Sequence, residues 1–108
     1  MFSIDDLEKM DWFTVTNKTK RSIEIKSVPT GHYWRLIMRN GYFDMTHRHK
    51  KEDNEHAQTS CETLYDCVLY IIGHDEFQLR GRKVISREEE LRQGSYFFDV
   101  IDKFGLVQ

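Results

Sequence analysis

The dipeptide Asn40-Gly41 stands between two runs of alternating apolar and polar residues, and it constrains the fold more than any other stretch of the sequence. Asn and Gly both tolerate positive φ, which a two-residue type I′ turn requires at its two central positions. The flanking runs therefore predict two antiparallel strands that pair outward from this turn. The predicted cross-strand pairs are Arg39 with Tyr42, Met38 with Phe43, Ile37 with Asp44, Leu36 with Met45, Arg35 with Thr46, Trp34 with His47, Tyr33 with Arg48 and His32 with His49.

This register sorts the hairpin into two faces, because successive side chains of a strand point to opposite sides. One face is apolar and ends in histidines: Trp34, Leu36, Met38, Phe43 and Met45, with His32, His47 and His49 at the open end. The other, which we call the Tyr/Arg face, is polar: Tyr33, Arg35, Ile37, Arg39, Tyr42, Asp44, Thr46 and Arg48. The first face is expected to meet the core and the second to meet solvent.

The rest of the N-terminal half predicts one short helix and two more strands. Ser3 followed by Asp5 and Asp6 is typical of a helix start. Period-two alternation predicts strands over 12–16 and 22–28. We therefore expect a single α+β domain over residues 1–108. It contains an antiparallel meander of three to four strands, with a short N-terminal helix and two C-terminal helices packed on one face.

The C-terminal half predicts two helices joined by a segment whose secondary structure the sequence leaves undecided. The first begins near Asn54 or, by the Thr59-x-x-Glu62 capping box, slightly later, and ends at Gly73. Residues 74–85 fit either a short strand or a loop. A second capping box at 86–89 opens the last helix, which Gly94 could divide in two and which ends at Gly105.

Composition narrows the function classes. A net charge of −2 argues against a generic polyanion-binding protein, and no apolar run reaches the roughly 18 residues of a membrane-spanning helix. Cys61 and Cys67, six apart in a predicted helix, would lie on different sides as reduced thiols, and the acidic N-terminus does not resemble a signal peptide. We expect a cytoplasmic protein without catalysis, since phosphate-loop, GxSxG, HExxH and EF-hand patterns are missing.

Two groups of residues are candidates for function. His32, His47 and His49 would converge at one end of the sheet, near His56, in a geometry that zinc or a similar divalent metal can use. The Tyr/Arg face combines the residue types enriched at binding hot spots. The candidate partner-binding residues are Tyr33, Arg35, Arg39, Tyr42, Arg48, Lys50 and Lys51.

These groups give three hypotheses. The first is a small intracellular binding protein that engages a macromolecule, above all a protein, through the Tyr/Arg face. In its many charges and small size the chain resembles accessory or inhibitor proteins of phages and other mobile elements. The second is a nucleic-acid-binding module that uses the same face, with arginine for phosphates and tyrosine for base stacking. The third is a metal-binding protein built on the three histidines.

Overall fold

A computed structural model describes residues 1–106. Five antiparallel strands form one sheet in chain order, β1-β2-β3-β4-β5. The elements are α1 Ile4–Glu8, β1 Phe13–Lys18, β2 Ser22–Ser27, β3 Tyr33–Met38, β4 Phe43–Arg48, β5 His56–Cys61, α2 Leu64–Leu79, α3 Arg87–Gln93 and α4 Tyr96–Phe104. The predicted α+β class with an antiparallel meander is confirmed, but the sheet has five strands rather than the predicted three to four.

The hairpin register is confirmed from Tyr33↔Arg48 through Met38↔Phe43. The turn type was predicted wrongly. Gly41 has φ +87°, but among residues 1–106 Arg82 is the only non-glycine residue with positive φ, so Asn40 does not adopt the conformation of a type I′ turn. Positive φ at the second central residue alone is the pattern of a type II turn. The register survives because the Arg39 N–H still donates to the Tyr42 carbonyl, at 2.8 Å.

The apolar face of the sheet packs against α2, as predicted. This helix begins after Thr63, whose side chain accepts a hydrogen bond from the backbone N–H of Asp66. Sheet and helix together bury one continuous core, to which α1 and α4 add a few side chains. Its best-buried members are Leu7, Ile25, Trp34, Leu36, Met45, Cys67, Val68, Ile71 and Ile72, each at most 1% exposed.

The segment predicted as the start of the first C-terminal helix is a strand instead. Ala57 and Cys61 match helical spacing, yet residues 56–61 form β5 along the free edge of β4. Unpaired backbone groups on β4 gain hydrogen bonds this way, and that tertiary gain outweighs a weak local pattern. The thiols of Cys61 in β5 and Cys67 in α2 consequently lie beside each other rather than on different sides of one helix, and both are free, as predicted.

Gly73 lies inside α2 and does not end it, contrary to the prediction. A side chain at this position would meet the ring of Phe97 at 3.7 Å, an ordinary van der Waals contact, so α4 packs beside Gly73 without requiring a glycine there. The helix continues through Leu79, so the prediction of a strand or a loop over residues 74–85 is wrong for 74–79, which are helical; residues 80–86 form the connection that follows. Among residues 1–106, no helix combines the length and apolarity needed to cross a membrane.

The C-terminal region contains three helices rather than two. The predicted division at Gly94 and the end at Gly105 are confirmed. Glu76 of α2 accepts hydrogen bonds from the Ser95 hydroxyl and from the first backbone N–H groups of α4, which fixes this helix to α2. No residue of α3 is buried; of the C-terminal helices, α2 packs on the sheet and α4 packs on α2.

Ile71→Ala should lower the free energy of unfolding by about 2–5 kcal/mol, because Ile71 is fully buried and the truncation leaves a cavity in the core. Urea unfolding followed by tryptophan fluorescence measures the change. The matched control is Leu91→Ala in α3, where the side chain is 58% exposed and a change within about 0.5 kcal/mol is expected. Equal losses in the two variants would contradict the assignment of the core to α2.

Candidate functional site

A buried glutamate organises the Tyr/Arg face. Glu24 of β2 is only 6% exposed, and its Oε2 accepts hydrogen bonds from Arg35 Nη2 at 3.1 Å and Arg48 Nη2 at 2.8 Å. The Thr16 hydroxyl donates to its other oxygen at 2.9 Å. Two of the predicted partner-binding arginines are thus bound to one carboxylate of their own chain.

Further contacts tie these arginines into the surface. Glu55 accepts from Arg35 Nε at 2.8 Å, so Arg35 has two carboxylate partners. The guanidinium of Arg48 lies 4.8 Å from the ring centre of Tyr33, and the Lys26 ammonium lies 5.5 Å from it. Tyr33, Arg35 and Arg48 do come together, as the register predicts, but their charges and ring faces are largely engaged within the chain.

Lys50 and Lys51 follow β4 in the exposed connection to β5. The carbonyl of Lys51 accepts a hydrogen bond from Arg48 Nη1 at 2.6 Å, and the backbone N–H of Lys50 donates to the Asp53 carboxylate at 3.1 Å. Both ammonium groups remain exposed and form no ion pair within residues 1–106. They lie at the opposite end of the strands from Arg39 and Tyr42.

The turn end of the hairpin carries the least engaged of the predicted residues. Tyr42 is 43% exposed, and Arg39 has a single exposed ion pair, with Asp44 at 2.8 Å. The pKa of Asp44 is lowered by hydrogen bonds from Ser60 and from Arg39. Beside them Met38 is 47% exposed, although it belongs to the apolar face.

An open groove, which we call the hairpin-end groove, runs across this end of the sheet. Ile4, Met38 and Phe43 line both of its two adjoining hollows, of about 350 and 120 Å³. Lys20 and Arg21 line the smaller hollow and form no ion pair within the described residues. The backbone N–H of Met38 donates to the Arg21 carbonyl at 2.7 Å, which holds this basic turn against the hairpin. The smaller hollow therefore has an apolar floor and a cationic rim, whereas the larger hollow is mainly apolar and has Glu62 in its lining.

All five histidines of the chain gather at the other end of the sheet. The rings of His32, His49, His56 and His74 have their centres 5.0–5.4 Å from that of His47. The convergence of His32, His47 and His49 follows from the predicted register. His56 lies there too, as predicted, although it begins a strand rather than a helix.

Desolvation keeps the inner histidines neutral. Burial, followed by repulsion from the neighbouring imidazoles, lowers the pKa of His47 to about 3. Burial and the nearby His49 lower the pKa of His32, and burial lowers that of His74. Neutral imidazole is the form that binds metals and exchanges hydrogen bonds with its neighbours.

The sequence did not point to two polar residues of α2 that reach this end. His74 meets the cluster from the helix side, and Asp75 is fully buried, accepting hydrogen bonds from Trp12 Nε1 at 2.9 Å and from the Thr30 hydroxyl at 3.2 Å. Burial raises the pKa of Asp75. His74 and Asp75 lie in the segment 74–85, for which the sequence analysis considered only a strand or a loop. Continuing the helical spacing beyond Ile71 would have placed both on the core side of α2.

Acidification from pH 7 to pH 4.5 should remove about 2–3 kcal/mol of the free energy of unfolding that neutral His47 contributes, measured as the difference between the unmodified chain and His47→Gln. The pKa of His47 is depressed in the folded protein, so the unfolded chain alone takes up the proton between pH 6.5 and pH 3, at about 1.4 kcal/mol per pH unit. The contribution of His47 to the free energy of unfolding is therefore fully present above pH 6.5 and decreases as the pH falls through this window. Denaturant unfolding at several pH values measures it. In His47→Gln the dependence should flatten, and an unchanged slope would contradict the prediction.

Replacing Glu24 by Gln should destabilise the protein by about 2–3 kcal/mol, because two partly buried arginines lose their shared countercharge. Asp44→Asn is the matched control: it removes the carboxylate of the exposed Arg39 pair, and surface pairs contribute less than about 1 kcal/mol. Thermal unfolding of both variants gives the comparison. A larger loss in Asp44→Asn would contradict the role given to Glu24.

Comparisons with protein-family models, with curated protein sequences and with solved structures each return no match.

Proposed function

We propose that this chain is a non-catalytic binding protein that docks a protein partner at the turn end of the β3–β4 hairpin. The observation that carries the proposal is the hairpin-end groove, with its apolar floor and its unpaired cations at Lys20 and Arg21. Exposed apolar surface rimmed by polar residues is characteristic of protein interaction sites. This moves the proposed binding surface from the Tyr/Arg face to the turn end of the hairpin, where the groove lies on the apolar side and Arg39 and Tyr42 lie on the other.

The hairpin end is favoured because its side chains are less engaged in contacts within the free protein than those at the centre of the Tyr/Arg face. Arg35 and Arg48 already bind Glu24, so a partner's carboxylates would have to compete with ion pairs that exist in the free protein. Met38 and Tyr42 instead present unpartnered apolar area, and Lys20 and Arg21 present unpaired charge. Burial of the apolar area in such a patch contributes affinity, and the charged groups fix the orientation of the partner.

The groove indicates the chemistry of the partner. An apolar side chain would fill the hollow over Ile4 and Phe43, and a neighbouring acidic residue would meet Lys20 or Arg21. A protein segment that combines apolar anchors with acidic residues fits these requirements. Its docking would tolerate moderate salt, because the apolar anchors contribute most of the affinity.

Nucleic-acid binding through the same face is the second candidate function. The exposed basic residues Lys20, Arg21, Lys50 and Lys51 favour it, since phosphates are bound by such groups. They are divided, however, between opposite ends of the sheet, and the arginines between them are paired with carboxylates. Steep loss of binding with rising salt would distinguish this function from protein docking.

Met38→Asp should abolish capture of a protein partner by the immobilised chain, because it places a charge on the apolar floor of the groove. Tyr42→Ala should weaken the same complex by about 1–3 kcal/mol. Mass spectrometry of proteins retained from a lysate of the source organism, followed by calorimetry with the purified partner, measures both effects.

Lys51→Glu, at the opposite end of the sheet, is the matched control and should leave capture unchanged. Loss of capture in Lys51→Glu but not in Met38→Asp would move the interface to the connection after β4. Fluorescence anisotropy of labelled DNA and RNA at two salt concentrations completes the test. Salt-sensitive binding that Arg21→Glu removes would replace the protein-docking proposal with the nucleic-acid one.

A further inference from the structure

We propose that His32, His47 and His49 form a binding site for one divalent transition-metal ion of the zinc class. The site lies at the end of the sheet opposite the hairpin-end groove, and the proposal is independent of partner docking. It rests on the positions of three nitrogen donors and on the groups that hold them. The site would be a function of the chain in addition to the one proposed above.

The donor atoms are already close to the spacing that one ion requires. One ring nitrogen from each of the three histidines lies within 4.8 Å of the others. His47 Nε2 and His32 Nδ1 are 3.2 Å apart. Two nitrogens that bind one tetrahedral zinc ion at about 2.1 Å lie about 3.4 Å apart. The inner pair therefore already has nearly the nitrogen–nitrogen spacing of one ion, and small rotations of the rings, including the exposed ring of His49, would aim the three donors at a common point.

The inner donors are held in place by packing. His47 is 3% exposed, and its ring stacks on that of Trp34, with centres 4.0 Å apart and planes 17° apart. Trp34 is itself fixed by donating from Nε1 to the Ser27 hydroxyl at 3.1 Å. The backbone N–H of His32 donates to the Thr30 hydroxyl, at 3.3 Å. Fixed ligand orientation of this kind is what supporting contacts provide at metal sites.

The third donor sits at the solvent edge. The ring of His49 stacks on that of His32, with centres 4.2 Å apart and planes 8° apart, and its side chain is exposed. An ion can therefore enter from solvent, and a water molecule can occupy a fourth position. Three histidines and one water make up a common zinc coordination set.

The donor set selects the class of metal. Three neutral imidazoles and no carboxylate suit zinc, copper or nickel, whereas magnesium and calcium require oxygen ligands. Negative charge to balance the ion is nearby but outside the site. The buried carboxylate of Asp75 accepts a hydrogen bond from Thr30, the residue that also supports His32.

A different explanation accounts for part of this geometry. Two neutral imidazoles 3.2 Å apart can share one hydrogen bond, and in that case the His47–His32 contact would be structural. That explanation assigns no role to His49, since its stacked ring adds no hydrogen bond to the pair. Comparison of His49 with the other histidines of the cluster therefore separates the two explanations.

The test uses the untagged chain of residues 1–108 at pH 7.5, freed of metal with EDTA and then of chelator, and titrated with Zn²⁺ in a calorimeter. One equivalent should bind, and the midpoint of thermal unfolding should rise with Zn²⁺ concentration, because the ion binds the folded state. Co²⁺ replaces Zn²⁺ in a second titration; visible absorption typical of four-coordinate cobalt is expected at the same stoichiometry.

His49→Ala is the test variant, because an exposed residue can be removed without loss of the fold. It should weaken Zn²⁺ binding by at least about ten-fold, the lower end of what removal of even an outer contact causes. His56→Ala is the matched control, since His56 is also exposed and adjoins His47 but lies outside the triad. Its affinity should stay within about two-fold of that of the unmodified chain.

Three results would overturn the proposal. The first is the absence of saturable binding of Zn²⁺ at one equivalent. The second is an equal loss of affinity in His49→Ala and His56→Ala, which would indicate chelation by surface histidines in general. The third is unchanged affinity in a folded His49→Ala. Circular dichroism of each variant verifies that the comparison is made on folded protein.

Discussion

Pairing of β3 with β4 in one register is the constraint on which the rest of the structure depends. Side chains alternate strictly along a strand, so a shift by one residue would turn Trp34 and Leu36 to solvent and bring Arg35 under α2. Neither face could tolerate that exchange: the apolar side chains would lose their burial, and a guanidinium would enter the core without Glu24. The two candidate sites are thus consequences of the same register, one at each end of the hairpin.

Local signals were sufficient to predict this register and were insufficient at β5. The alternating runs around Asn40-Gly41 contain their own partner strand, and the pairing follows even though the turn is of a different type. The segment His56–Cys61 has only weak apolar alternation, and its strand conformation comes from the free edge of β4. Gly73 shows the same limit: the local pattern predicts a helix end there, whereas α2 continues past it and packs against α4.

For the candidate sites too, the sequence predicts which hairpin residues come together but not which residues of other strands they contact. Cross-strand counting brings His32, His47 and His49 together, and the structure places them so. It also brings Tyr33, Arg35 and Arg48 together, but it does not show that Glu24 lies buried between the arginines. Sequence alternation assigns Glu24 to the solvent face and says nothing of which charges it meets there. The division of the Tyr/Arg face into an engaged centre and an available end could therefore be read only from contacts across three strands.

The helix without buried residues has a consequence for how this protein opens. Residues 80–94 follow the end of α2, pass Gly81 and Arg82 at positive φ, and rejoin the core at Ser95. The ion pair between Arg80 and Glu90, at 3.9 Å, lies within this stretch, and Arg82 Nε donates to Gln78 of α2 at 3.3 Å. Detaching this stretch would expose little apolar surface, so we expect its amide hydrogens to exchange with solvent at a free energy far below that of global unfolding. We therefore expect the sheet and its covering helices to unfold as one cooperative unit, whereas α3 can unfold and refold locally while that unit stays intact.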